Sequence, residues 1–594
     1  MQIKRTLSVI FVSVLAFVLH ASALDSGVAI NYKITINPSD LSGFNIEMHI
    51  PDARGTIRIA MAAHPEYDDR YFRYVENFLA ESGGRKLSVT KPEEAVWQVN
   101  GVRGKLAIRY RVSPAAKERE WRQTWKPFLT PTGGMVGDLH MLMYVVGQEK
   151  STARLTLEMP ADWNAATGLE PTADSRVFTG PVDHLLDAPV VVGKFDEWKF
   201  DAGGAPHKIV IWSPADAKPV DTAPIVQGIQ KLAEQAIKAF GKPPYPRYAF
   251  LLENGGQAAL EHRTSLNAGI SSERNFGFDE IAHEYIHVWN LMDVRPRERV
   301  GLKYKFADPT GVLWWSEGAT IMFADLLIRR AGLAGERRTR LQRLESLIAR
   351  YLSAPGYSTL AAELVSRGDS HPEVLGDNWA GTHLQGEVLV NMLDLKIRDA
   401  TDGQRSVDDV MRTLAAKFDS DRGVDNSDIE RVISDICRCE ISGFFGEYIY
   451  AAKQVEFDTY LSLMGMRAEI KQVPAVDPQG KPSVDLRIGP VSPDGELKLR
   501  ITNSSSSWAG AGVRTGDKLI SANGNAIADW PTFRTWLRTL KIGDKARLVI
   551  LRNGVEKVVE VTLKPFDIPN VRIIELENAS AKQLRIREAW KNAN

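Results

Sequence analysis

The chain has 594 residues, more than one hydrophobic core serves, and at roughly one domain per 150 residues this implies three or four domains. Hydrophobic residues make up 44% and charged ones 25%, an ordinary globular balance, and Lys+Arg and Asp+Glu both number 74. Zero net charge gives no electrostatic case for a nucleic-acid binder or a polybasic membrane protein, and two cysteines exclude a disulfide framework.

Residues 1–23 read as a secretory signal. Lys4 and Arg5 form the positive start, Leu7 to Leu19 an apolar stretch, and Ala21-Ser22-Ala23 an A-x-A cleavage site. The apolar stretch is short of the roughly 20 residues a spanning helix needs, so a cleaved leader is expected over an uncleaved anchor. No later segment is long and apolar enough to cross a bilayer. The expected product is exported, periplasmic or secreted, with no membrane span after cleavage and no nucleic-acid partner.

From about residue 28 to 212 the dominant period is two. Leu106, Ile108, Tyr110 and Val112 alternate with Ala107, Arg109 and Arg111, and Leu155, Leu157 and Met159 follow the same pattern. With His207–Trp212 as a further strand, this predicts an antiparallel, sandwich-like β-domain over 24–212. The period then changes. Thr222 is placed to cap a helix with Pro224 in its first turn, a stripe of Ile225, Ile229, Leu232, Ala236 and Phe240, and Gly241 as its stop. Helical patterning runs to about 465, with one strand at Tyr248–Leu252, and predicts a mainly helical domain over 213–465. Cys437 and Cys439 lie one residue apart. So short a loop fits disulfide geometry poorly, so a pair of plain thiols is expected, with a labile disulfide as the alternative in an exported chain. A Pro- and Gly-rich loop at 473–483 falls near the next boundary. Strands return over 466–567, ending near Pro565, and 568–594 reads as a helical tail.

One motif carries chemistry. His283-Glu284-Tyr285-Ile286-His287 is H-E-x-x-H, and on a helix residues four apart share a face, so both imidazoles reach one metal ion. Glu284 is then placed to act on an attacking water as general base. The segment is apolar, and unpaired buried histidines are costly. Glu317, in Trp314-Trp315-Ser316-Glu317-Gly318, opens a second apolar helix and offers a third ligand. His2Glu is the set of catalytic zinc, with a fourth position left open, so one Zn2+ per chain is expected.

HEYIHVWN, WWSEGAT and ADLLIRRAGL resemble the glycyl aminopeptidase family, PDZ-bearing gluzincin metallopeptidases distantly similar to leukotriene-hydrolase-type aminopeptidases. ATGLE and DHLLDAPVVVGKF upstream, and KIRDATDGQRSVDDVM and ENASAKQLRIREAW downstream, extend the likeness over most of the chain. It implies a multidomain α+β protein with an N-terminal β-domain, a thermolysin-like catalytic domain and a C-terminal PDZ domain. It also implies His283, His287 and Glu317 as ligands and Glu284 as the base.

The family carries a G-G-L-E-H-type motif whose glutamate anchors a substrate's free amine, as a buried carboxylate facing an ammonium does. Here Ala258-Ala259-Leu260-Glu261-His262 keeps Glu261 and His262 and replaces both glycines. If those glycines admit substrate backbone, the added methyls narrow or shift the subsite. The alternative for Glu261 is a salt-bridged structural role. Where the family has a tyrosine suited to donate to an oxyanion, this chain has His383, in Thr382-His383-Leu384-Gln385-Gly386. The alternative pairs His383 with Glu387 four residues along. Residues 509–517, with the N-G turn at Asn523-Gly524, resemble a bacterial protease-type PDZ domain, able to hold an extended peptide or a terminal carboxylate, or acting only as a docking domain.

These readings converge on a zinc aminopeptidase acting on peptides, with a preference for small residues such as glycine implied by the resemblance. An endopeptidase, or a catalytically weak zinc protein that binds peptides through its PDZ domain, are the alternatives.

Overall fold

The computed structural model describes residues 29–593 apart from 65–66, 68–69, 116–122, 272–276, 307 and 492–495, so the leader read at 1–23 lies outside the described residues. The architecture is α+β: a β-rich N-terminal domain, a mainly helical middle and a small C-terminal β-domain.

Alternation buries one face of the long N-terminal strands. Leu106, Ile108, Tyr110 and Val112 are buried while Arg109 is exposed, and their strand, Val96–Val112, pairs antiparallel with Phe44–Met61 inside a ten-stranded sheet. A four-stranded sheet containing Pro189–Gly193 and Gly133–Gly137 shares its core, with Val136, Val190 and Val192 in one cluster with Ile30, Ile46 and Leu106. A second small core joins this layer to the middle domain: Phe128, Met135 and Val191 cluster with Val210, Trp212 and Ala249.

That junction corrects the expected boundary at 212. Phe195–Ala202 and Ala205–Trp212 pair with each other, and the latter runs parallel to Tyr248–Asn254 in a five-stranded sheet completed by Ser265–Ile270 and the edge strand Ala259–Glu261. These two strands therefore belong to the middle domain. Period-two alternation marks a strand without saying which sheet it joins.

The helix Thr222–Phe240 follows, with Ile225, Ile229, Leu232 and Ala236 buried, and Gly241 ends it at φ 93°. Its cap lies one residue before the expected Thr222: the Asp221 carboxylate accepts from the Ala223 N–H at 3.3 Å. Three further helices matter for the site, Asp279–His287, Leu313–Arg330 and Thr382–Ala400. The last two touch backbone to backbone. A Cβ on Gly318 would stand 2.2 Å from the Gly386 carbonyl carbon, and one on Gly386 would stand 2.1 Å from the Trp314 oxygen.

Cys437 and Cys439 are joined in a disulfide, where a pair of thiols was the expectation. The turn that permits it is Arg438, the residue after the helix Asn426–Cys437, which sits in the left-handed region at φ 52° and folds the chain back on itself.

The C-terminal part also departs from the sequence reading. Met466–Pro474 pairs antiparallel with Asp567–Glu575 along its whole length, so a strand replaces the start of the expected helical tail, up to Glu575. Val571 and Ile573, buried two apart, carried the period that would have shown it. The compact β-domain is inserted between these two strands. It has a four-stranded sheet, the hairpin Ile488–Pro490/Leu499–Ile501, the helix Trp530–Leu537 and its own core around Trp508, Phe533 and Leu548. The final helix, Ala581–Lys591, buries Trp590 beneath the Arg340 guanidinium, 4.1 Å from the ring centroid. No helix among the described residues is long and apolar enough to cross a membrane.

The turn leading to the edge strand explains one of the two glycine-to-alanine departures. Ala258 has φ 61°, a left-handed conformation that costs an L-residue about 1–2 kcal/mol and a glycine little. It is held there because its carbonyl accepts from the Gly269 N–H at 2.9 Å and from Thr124 Oγ1 at 3.2 Å. A glycine at 258 thus suits the backbone itself, before any substrate arrives. Ala258→Gly is expected to stabilise the protein by about 1 kcal/mol, read as a rise in the denaturation midpoint. A lower midpoint would show that the alanine methyl makes contacts outweighing the strain.

Candidate active site

The helix Asp279–His287 is buried along most of its length, and it continues as a π-helical turn over Val288–Asp293. Its Tyr285 side is fixed by polar contacts in the core. Tyr285 and Tyr245 bring their hydroxyls together, and the Tyr245 hydroxyl lies 2.9 Å from His207 Nε2. The opposite side presents His283, Glu284 and His287.

Asn290, in the π turn, fastens this helix to the next. Its Nδ2 donates to the Ser316 carbonyl and to Thr320 Oγ1, each at 3.0 Å, and its Oδ1 accepts from Trp315 Nε1 at 3.1 Å. Thr320 Oγ1 also lies 3.5 Å from His287 Nδ1, leaving Nε2 as the nitrogen that faces the cluster. Neither Asn290 nor Thr320 was singled out from sequence. Both sit inside the quoted motifs, but nothing in the spacing told an orienting residue from an ordinary core one.

Glu317 is brought to both histidines. Its Oε2 lies 3.2 Å from His283 Nε2 and 3.4 Å from His287 Nε2, and the two nitrogens are 2.9 Å apart. A tetrahedral ion with bonds of about 2.0–2.1 Å spaces its ligand atoms about 3.3 Å apart, so this donor set has the chemistry and the separations zinc requires. Burial, then the neighbouring His287, pulls His283 down to about 4, the neutral form that ligates. Burial alone would raise Glu317, but His287 and His383 outweigh it and hold this carboxylate well below its usual range.

His383 joins the same group. Its Nε2 is 3.0 Å from Glu317 Oε2, and its ring stacks beside His283 at 5.7 Å between centroids. His283, Glu317 and His383 offer ligand atoms all within 4.8 Å of one another. The alternative pairing with Glu387 does not form: Glu387 points to the other side of its helix, where it accepts from Arg343 Nε at 2.8 Å.

Glu261 ends the edge strand, buried, with its carboxylate facing Glu284. Burial, and second the Glu261 charge, pushes Glu284 well above the usual carboxylate range. Two carboxylates so placed share protons unless a cation comes between them. His262, which follows, turns instead toward Asp187 of the β-domain, 3.8 Å from its Nδ1.

In the C-terminal β-domain, Asp485 accepts from the Arg487 N–H just before the hairpin at 3.2 Å and from the Ser507 N–H at the start of a short helix at 2.7 Å, so both amides are already engaged. The domain rests on the loop just before His383: Asp377 Oδ1 accepts from the Thr515 N–H at 2.7 Å, and Arg500 stacks 4.8 Å over Trp379.

Comparison with known proteins agrees with this layout. Residues 31–194 match the Peptidase M61 N-terminal domain, residues 278–381 the M61 glycyl aminopeptidase, and residues 485–563 a PDZ domain. A comparison with curated proteins returned no match. Among solved structures, an aminopeptidase N family protein from Idiomarina loihiensis has the same fold, with a TM-score of 0.71 and 21% identity over 94% of this chain and 99% of that one. An M1 zinc metallopeptidase from Deinococcus radiodurans aligns with a TM-score of 0.45 and 16% identity, covering 68% of this chain and 90% of its own. With its N-terminal domain, its peptidase segment and the PDZ domain that follows all matched, the chain is similar to the M61 glycyl aminopeptidases over these segments and is a peptidase.

Proposed function

We propose that the protein is an exported zinc aminopeptidase, holding one Zn2+ through His283, His287 and Glu317 and releasing amino-terminal residues from peptides. The observation that carries this reading is the convergence of two imidazole nitrogens and one carboxylate oxygen at mutual distances of 2.9–3.4 Å, with Glu284 beside them. When bound, zinc supplies Lewis acidity toward the scissile carbonyl and the attacking water.

The chain's own residues do the rest. Glu284 takes the proton of the attacking water and passes it to the leaving amine. Its raised proton affinity suits that shuttle. Glu261 pairs with the substrate's α-ammonium, which relieves the repulsion between the two carboxylates and measures one residue from the amino terminus to the scissile bond. An endopeptidase has no use for such a buried acid. His383, at the edge of the cluster, donates to the oxyanion that develops on the scissile carbonyl. The glycine preference carried by the family's name is the family's own and has no separate support in this site. The PDZ domain offers an extended peptide the edge of its hairpin, while the engaged amides at Asp485 speak against capture of a terminal carboxylate there.

The test of the reading is metal content together with activity. The purified protein is expected to hold about one zinc per chain, and Glu284→Gln to keep that zinc while losing hydrolysis. A chain that binds no zinc from excess metal would sink the proposal. Glu261→Ala is expected to reduce cleavage of free-amine peptides far more than any cleavage of acetylated ones, and equal losses on both would make Glu261 structural. For His383→Ala, kcat is expected to fall by about 10²–10³ with little change in KM, and His383→Tyr to retain activity. A wild-type rate in His383→Ala would mean that the donor lies elsewhere.

A further inference from the structure

Glu261 also lines a cavity between the β-domain and the helical domain, to which none of His283, His287, Glu317 or His383 contributes. One wall of that cavity is cationic. Arg263 stands two residues beyond Glu261 on the same segment, and Arg295 follows the π turn of the H-E-x-x-H helix. Neither guanidinium has a carboxylate within 4.0 Å among the described residues. Arg263 Nη2 reaches only the Ser420 hydroxyl, at 3.2 Å, and Arg295 Nη2 only the Met292 sulfur, at 3.1 Å.

The acids of the cavity are engaged elsewhere. Asp183 and Asp421 share Lys150, at 2.8 and 2.9 Å, and Asp138 lies against His140 at 3.1 Å. Asp187 accepts from the Arg263 main-chain N–H at 2.7 Å and faces His262. Asp293, the nearby acid that feels both arginines, is pushed up to about 6 by burial. Burial also pulls Arg295 below its usual range, although the charges of Asp187 and Glu261 partly offset the effect. A guanidinium stays charged under such conditions, so an incoming anion is the group that would compensate it.

We propose that this cavity receives the side chain of the substrate's amino-terminal residue and selects an acidic one, with the α-ammonium on Glu261 and an Asp or Glu side-chain carboxylate between Arg263 and Arg295. The inference rests on the aminopeptidase reading and departs from the glycine preference of the family's name. One carboxylate in the cavity takes the amine. The two guanidiniums beyond it have no partner that glycine could supply. A bidentate carboxylate fits them, and the neutral amide of the same shape does not.

The test uses the full-length zinc-loaded protein on the p-nitroanilides of Glu, Gln, Ala and Gly. Glu and Gln differ in charge and hardly in shape. In the wild type, kcat/KM for the Glu substrate is expected to exceed that for Gln by about tenfold to a hundredfold, the range for one charge-assisted contact. Arg295→Met and Arg263→Met are each expected to shrink that ratio toward one. Equal wild-type rates on Glu and Gln would overturn the proposal without recourse to any variant. So would a Glu preference that survives both substitutions. If Gln, Ala and Glu substrates are all cleaved alike, the aminopeptidase reading stands and only this inference fails. Cleavage of none of the four overturns both.

Discussion

The site depends on how closely two helices approach. Gly318 follows Glu317 in the helix Leu313–Arg330, and Gly386 lies one turn past His383 in the helix Thr382–Ala400. A methyl group on either would collide with the other helix's main chain at little over 2 Å. With both positions bare, the two backbones meet, and His383 Nε2 comes to 3.0 Å from Glu317 Oε2. Asn290 ties the third helix to the same contact through Trp315, Ser316 and Thr320. Three helices far apart in sequence thereby deliver four polar side chains to one place, on a scaffold too tightly packed to let them spread. Such a cluster is costly in the interior unless its charges compensate each other, and here one carboxylate faces three imidazoles.

The same constraint separates two acids of the site. Glu317 sits among histidines and is held in its charged form. Glu284, one residue along from His283, faces another acid and is pushed toward protonation. Two glutamates within one small site thus have opposite proton affinities because their neighbours differ.

Much of this was legible in sequence because it is local. The four-residue spacing of His283 and His287 states their common face whatever the tertiary fold. Period-two alternation and the Thr222–Phe240 stripe likewise name elements without naming partners. What the sequence could not express was contact between elements. His207–Trp212 reads as a strand of either neighbouring sheet, and only pairing with Tyr248–Asn254 assigns it. His383 and Glu387 are spaced to touch, yet Arg343 from another helix captures Glu387 and leaves the histidine to Glu317. The Cys437–Cys439 bond turns on one left-handed residue, Arg438, a conformation no arginine advertises. Arg263 and Arg295 belong to no motif, and what sets them apart is that among the described residues neither has a carboxylate within 4.0 Å, which a sequence does not record.

The domain order follows from the same reasoning. The edge strand Ala259–Glu261 pairs on one side with Ser265–Ile270 among the described residues. The β-domain lies beside this strand. The four-stranded sheet packs on the five-stranded sheet of the middle domain through Phe128, Met135 and Val191, and Asp187, from the segment leading into its Pro189–Gly193 strand, reaches the residues just beyond Glu261. The β-domain therefore lines the cavity that contains Glu261 and is more than an appendage to it. The PDZ domain touches the other end of the same machinery. Asp377, which caps Thr515, lies six residues before His383, in the loop that starts the histidine's helix. Holding that loop fixes where the helix begins, and the glycine contact fixes how deep it lies. The PDZ domain is thus anchored six residues along the chain from His383, whose Nε2 faces Glu317 at 3.0 Å, so the contact that holds this domain and the start of the histidine's helix share one short loop.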